Sequence, residues 1–161
     1  MQGDITRQYV SVIVDAANSG LLGGGGVDGV IHRASSPKIL AECQKIHALQ
    51  GICRTGEAVI TTGQRLPAMH VIHTVGPVWN GGHKCEPKLL ANYYRNSLRL
   101  AKEHKLESIV FPSISTGIYG CPKEEAAAIA VREVQQWLSA HAFTQKVVFV
   151  VFDDENRQIY E

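Results

Sequence analysis

No apolar run in this chain outlasts the six residues of Val147 to Phe152, and a membrane-spanning helix needs roughly 18. The opening residues, MQGDITRQYV, lack a basic stretch followed by an apolar one, so they do not read as a secretion signal and a cytoplasmic protein is expected. Charge of one sign is missing too: 16 basic residues face 15 acidic ones, for a formal net charge of +1. Without a field of one sign there is no general attraction to an extended nucleic acid or an anionic membrane, and any phosphate must be held locally. The four cysteines, Cys43, Cys53, Cys85 and Cys121, form no CxxC pair, and the seven histidines include no HExxH. His70 and His73 fall in one predicted strand, where alternation sends them to opposite faces. Reduced thiols and no metal are therefore expected.

What is present suits one globular domain, 161 residues with 45% hydrophobic and 19% charged. Tyr9 to Val14 reads as a buried strand that stops at a glycine-rich segment, with a helix from about Val27. Ser36 and Pro37 signal the start of another helix, with Ile39, Leu40, Cys43 and Ile46 at helical spacing until Gly51. Glu57 to Thr62 and Met69 to Val75 read as neighbouring strands joined by a turn containing Gly63 and Pro67. Pro87 opens a helix striped with Leu90, Tyr93, Tyr94, Leu98 and Ala101. A buried strand, Ser108 to Phe111, follows and ends at Pro112. Pro122 starts a helix carrying Ala126, Ile129, Ala130, Val134, Trp137 and Leu138, and Lys146 to Phe152 is the last strand. Strands alternating with helices predict an α/β fold. Its mixed, largely parallel sheet is covered on both faces, with sites in the loops at the strands' carboxyl ends.

Two such loops suit a diphosphate. Gly23 to Gly26 are consecutive glycines between a strand and a helix, where missing β-carbons let an anion approach the amides at a helix N-terminus. SISTGIYG, Ser113 to Gly120, also follows a strand and precedes a helix, and it adds the hydroxyls of Ser113, Ser115 and Thr116. Neither loop fits GxGxxG with a downstream ribose-binding acid or ends in GK[ST], which disfavours a dehydrogenase and an ATPase.

GDIT at Gly3 to Thr6, DAANSGLLGGGGVDGVIH at Asp15 to His32, HTVGP at His73 to Pro77 and PSISTGIYG at Pro112 to Gly120 resemble the macrodomain family. The likeness is closest to its MacroD-type ADP-ribosyl hydrolases and O-acetyl-ADP-ribose deacetylases. The resemblance implies a three-layer α/β/α macrodomain over residues 1–161, its N-terminal edge strand and C-terminal helix shortened. It implies an adenine site in which Asp4 accepts from the exocyclic amine, the Ile5 backbone holds the base and Phe152 stacks on it. The diphosphate would lie between Gly24, Gly25, Gly26 and Val27 on one side and Ser113, Ile114, Ser115, Thr116, Gly117, Ile118 and Tyr119 on the other. Tyr119 would pack over the distal ribose, and Gly120 would let its loop close. Asn18 would orient the ribose hydroxyls and Asp28 the attacking water.

A carboxylate leaving group, with an acid pKa near about 4, needs little protonation. The implied substrates are therefore esters: ADP-ribosyl aspartate or glutamate on proteins, and O-acetyl-ADP-ribose. No acid dedicated to expelling a guanidine is visible, so arginine-linked ADP-ribose is not expected. No cofactor is implied, and a monomer is expected. Two other readings stay open, a non-catalytic ADP-ribose-binding module and an ADP-ribose 1″-phosphate phosphatase. Without the motif, Asp28 would read as an acid favoured by a helix dipole. Asp15 stands where the family usually has asparagine, and an extra carboxylate there is expected to repel phosphate or alter loop hydrogen bonding, weakening binding.

Overall fold

In the computed structural model, residues 10–16, 31, 33–35, 37–51, 53, 56–63, 66–75, 86–112, 123–141 and 146–150 are described. Their strands are β1 (Val12–Ala16), β2 (Ala58–Thr62), β3 (His70–Thr74), β4 (Ser108–Pro112) and β5 (Lys146–Val150). They form one sheet in the order β2-β3-β1-β4-β5. β1 is parallel to β3 and to β4, β4 is parallel to β5, and only the β2–β3 pair is antiparallel. The helices are α1 (Pro37–Gln50), α2 (Glu86–Glu103) and α3 (Lys123–Ala140). Ile31, Arg33 and Ala34 are helical as well, where a helix was expected from Val27.

Alternation along β1 divides the core. Val12 and Val14 join Ile72, Ile109 and Phe111 under α2 and α3. Ile13 points the other way and joins Val71 and Val110 against Ile31 and Ile39. Cys43 and Ile46 of α1 continue that second layer over Val59 and Val75. The sheet is thus covered on both faces, as expected of an α/β/α sandwich. The stripe on α2 is fully used: Leu90, Tyr93, Tyr94, Leu98 and Ala101 are all buried. Tyr94 packs with its ring centroid 4.9 Å from that of Phe111, and Phe149 stacks 6.0 Å from Phe111. Each such large apolar side chain contributes about 1.5–3 kcal/mol on burial.

The β2–β3 connection explains its glycine. Gly63 N–H donates to Met69 O at 2.9 Å, while Gly63 O accepts from Leu66 N–H and from the Ser35 hydroxyl. A β-carbon on Gly63 would stand 2.0 Å from Ala68 O, inside contact distance of a backbone atom. Only glycine fits this close approach.

Several boundaries differ from the sequence expectation. β1 runs past Val14 through Asp15 to Ala16, because Asp15 is paired in register with His73 and its carboxylate has a partner inside the fold. Its expected start, Tyr9, lies outside the described residues, and Val10 and Ser11 are not in the strand. β2 and β3 are each shorter than the apolar runs that announce them, leaving Met69 exposed. Pro112 is the last residue of β4, in register with Val150, rather than a stop beyond the strand. A terminal strand position tolerates proline. Leu138, assigned to the α3 stripe, is 40% exposed: it sits in the helix's last turn, beyond Val134, the last fully buried member. Among the described residues no helix is long and apolar enough to cross a membrane.

Candidate functional site

Four strands, β1, β3, β4 and β5, run in the same direction, so their carboxyl ends at Ala16, Thr74, Pro112 and Val150 lie along one edge of the sheet. The sheet order also contains a reversal. From β1 the chain crosses to β3 on one side, and later returns to β4 on the other, so the switch point lies between β1 and β4. In open α/β sheets ligands bind in the crevice outside the carboxyl ends of the strands at such a point.

The segments carrying the expected site residues leave from this edge. Asn18 follows the end of β1 by two positions, and Gly24, Gly25, Gly26, Val27 and Asp28 lie between it and the helical Ile31. Ser113 directly follows β4, at the head of the run to Gly120, and Phe152 follows the end of β5 by two. β1, β4 and β5 are consecutive neighbours, so the three stems are adjacent. The expected site residues themselves, including Asp4 and Ile5 near the N-terminus, lie outside the described residues.

Just inside this edge is a polar cluster that sequence reasoning did not assemble. Asp15 and His73 are fully buried, at 0% and 1% exposure, and Asp15 Oδ2 lies 2.8 Å from His73 Nδ1. A carboxylate in that place accepts from Nδ1–H and so fixes the ring's tautomer. His73 Nε2 then faces the Thr61 hydroxyl at 2.8 Å and the Cys43 thiol at 3.8 Å. One imidazole thereby ties β1, β3, β2 and α1 together. The carboxylate expected to disturb phosphate binding is engaged within the core layer beneath α1. The available signals were HTVGP and the even spacing of Val71 and His73 on one face, but neither names a partner 58 residues away.

His70 and Cys53 are displaced from their ordinary pKa values. Burial holds the His70 imidazole below its ordinary 6.5, His104 adds to that effect, and Glu42 partly opposes it. Burial, reinforced by the Glu57 carboxylate, pushes the Cys53 thiol up to about 11. His70 and His73 face opposite sides of β3, as alternation predicts. Among the described residues no group of three or more His, Cys, Asp or Glu side chains is placed to hold a metal. Cys43 and Cys53 are both buried.

Comparison with known proteins extends these observations beyond the strands. The family model described as Macro domain matches residues 14–130. A macro domain-containing protein in the gbd 3′ region of Cupriavidus necator is 58% identical over 160 residues, covering 99% of this chain and 92% of its own length. An O-acetyl-ADP-ribose deacetylase of Escherichia coli (strain K12) is 53% identical over 161 residues, covering 100% and 91%. Among solved structures, the Oceanobacillus iheyensis macrodomain with ADP superposes with a TM-score of 0.94 at 50% identity, covering 99% of this chain and 85% of that one. The Trypanosoma brucei macrodomain in complex with ADP-ribose gives 0.90 at 41% identity, covering 99% and 65%. With the family model matched over residues 14–130 and 58% identity over 160 residues, the chain belongs to the macrodomain family.

Proposed function

We propose that this protein binds ADP-ribose at the β1/β4/β5 edge and is a hydrolase of ester-linked ADP-ribose. Its substrates are O-acetyl-ADP-ribose and proteins carrying ADP-ribosyl aspartate or glutamate. The observation that carries the reading is the 53% identity, over the whole chain, to a protein named O-acetyl-ADP-ribose deacetylase. The strand geometry supports it, since the segments bearing Asn18, Ser113 to Gly120 and Phe152 start from adjacent stems.

In this reading Asp4 and Ile5 hold adenine and Phe152 stacks on it. Amides of Gly24 to Val27 and of Ser113 to Tyr119 hold the diphosphate without needing a net positive protein. Asn18 orients the distal ribose, and Asp28 polarises the attacking water through its carboxylate. The departing carboxylate is stable without a strong general acid.

The test is to incubate the protein, without added metal, with O-acetyl-ADP-ribose and separately with a glutamate-ADP-ribosylated protein, and to follow free ADP-ribose. Release from both substrates is expected. ADP-ribose binding without release would leave a reader module in place of the enzyme, and release from O-acetyl-ADP-ribose alone would narrow the substrate class.

A further inference from the structure

The Asp15–His73 pair lies where β1 hands the chain to residues 17–30. The two residues are register partners in the parallel β1–β3 ladder, one step before its last pair, Ala16 with Thr74. A fully buried carboxylate is costly unless a strong donor meets it. Here the donor comes from the neighbouring strand at 2.8 Å, and its ring is braced on its far side by Thr61 of β2, 2.8 Å away. Thr61 and His73 are diagonal neighbours on one face of the β2–β3 ladder, and Cys43 of α1 closes over the same nitrogen at 3.8 Å. The direction in which β1 ends is therefore set by a charge-assisted contact as well as by backbone hydrogen bonds.

From this geometry we infer that His73 is a positioning residue for the site: by holding Asp15 it fixes the end of β1, and so the placement of Asn18 three residues on. The inference rests on the function proposed above. It assigns His73 no contact with substrate. Misplacement of about 1 Å at a reacting centre is enough to cost a large factor in rate. The pairing also explains how an aspartate is tolerated at position 15: the imidazole supplies the donor that the acid requires.

The nitrogen that matters is Nδ1, which permits a sharp experiment. In His73→Asn the side-chain amide nitrogen takes the place of Nδ1 and keeps the donor to Asp15. In His73→Gln the amide reaches the Nε2 position near Thr61 and no longer meets Asp15 where Nδ1 did. Both are measured in the full-length protein for ADP-ribose dissociation constant, for kcat and KM with O-acetyl-ADP-ribose, and for melting temperature. Glu133→Gln, on the far side of the sheet, serves as a control that lowers stability without touching the site. His73→Gln is expected to lower kcat/KM at least tenfold at temperatures where it is fully folded. His73→Asn should stay within about threefold of the parent, because its amide N–H still meets the Asp15 carboxylate. If His73→Gln melts lower, as Glu133→Gln does, yet keeps parental kcat, KM and ADP-ribose affinity, His73 is structural only and the inference is overturned. Equal losses in His73→Gln and His73→Asn would overturn it as well, by removing the role of Nδ1. A parent protein that neither binds ADP-ribose nor turns over the ester would instead overturn the proposed function, and this inference with it.

Discussion

Arg95 on α2 grips Glu133 on α3 with two donors, Nε to Oε2 at 2.7 Å and Nη2 to Oε1 at 3.1 Å. The pair is asymmetric, since Glu133 is 3% exposed and Arg95 58%. Removing the arginine strands a buried carboxylate, whereas removing the carboxylate releases the arginine to water. Arg95→Met should therefore destabilise more than Glu133→Gln. A loss of about 1–2 kcal/mol is expected, below that of a fully buried pair because solvent screens the arginine. Chemical denaturation of both variants measures the difference. Equal losses would mean that Arg132, 3.8 Å from Glu133 Oε1, takes over the pairing.

Asp28→Ala separates catalysis from binding. If Asp28 polarises water, kcat on O-acetyl-ADP-ribose should fall roughly 10²- to 10⁴-fold while ADP-ribose affinity changes much less. Calorimetry beside steady-state kinetics reads both. A folded variant with parental turnover and reduced stability would make Asp28 a helix-dipole acid.

His70 makes the fold sensitive to mild acid. Its folded-state pKa is depressed below 6.5, chiefly by burial, so below 6.5 the unfolded chain takes up a proton that folded His70 resists. The stability it contributes is present above 6.5 and lost as pH falls towards the depressed value. Melting curves taken between about pH 7.5 and about pH 5 should show a steeper decline for the parent than for His70→Asn. Parallel declines would remove His70 as the cause.

Cys53 behaves in the opposite sense. Its thiol is raised from 9.0 to about 11, so the folded protein keeps the proton after the unfolded chain has lost it. That stabilisation is complete below 9.0 and lost as pH rises through about 11. Because the thiolate is the nucleophile, iodoacetamide at pH 8 should label Cys53 only after unfolding. Peptide mass spectrometry with and without denaturant tests this, and rapid labelling of the native protein would contradict it.

Lys105 adopts a left-handed conformation, φ 58°, at the end of α2. Leu106 N–H donates to Ala101 O at 2.8 Å across this turn, a Schellman closure that usually employs glycine. Lys105→Gly should stabilise by about 0.5–1 kcal/mol, the relief of the β-carbon clash less the loss of a cation near the helix C-terminus. In a protein of this size that raises the melting temperature by roughly 1–4 °C. An unchanged or lower value would count against the strain.

Much of the architecture is legible where the determinants are local. Gly63 and Pro67 announce the β2–β3 turn, and the spacing of Leu90, Tyr93, Tyr94, Leu98 and Ala101 announces which side of α2 is buried, because both follow from a few consecutive residues. Asp15 illustrates the opposite case. An acid after an apolar run reads as a strand end, yet the strand continues because His73 answers it from a distant part of the chain. Leu138 is apolar at a correct spacing, but no pattern says that the core ends before the helix does. The site is legible chiefly as motifs: Asn18, Asp28 and Ser113 to Gly120 are picked out by resemblance, while the described strands place their stems and supply His73, which the motif contains without explaining.

The central position of β1 also bears on how the protein reaches its folded state. β1 pairs with β3 and β4, and the Ser11–Ser108 contact at their base spans 97 residues. Parallel pairings this remote incur a large loop-closure entropy before they return any contact energy, so the β2–β3 hairpin and the helices should organise early and the β1–β4 seam late. During synthesis β1 leaves the ribosome before β4 and waits for it to be made. The edge from which the segments of the proposed site leave is thus completed near the end of folding, so under the proposed function ADP-ribose would meet a finished sheet rather than serve as a template for its assembly.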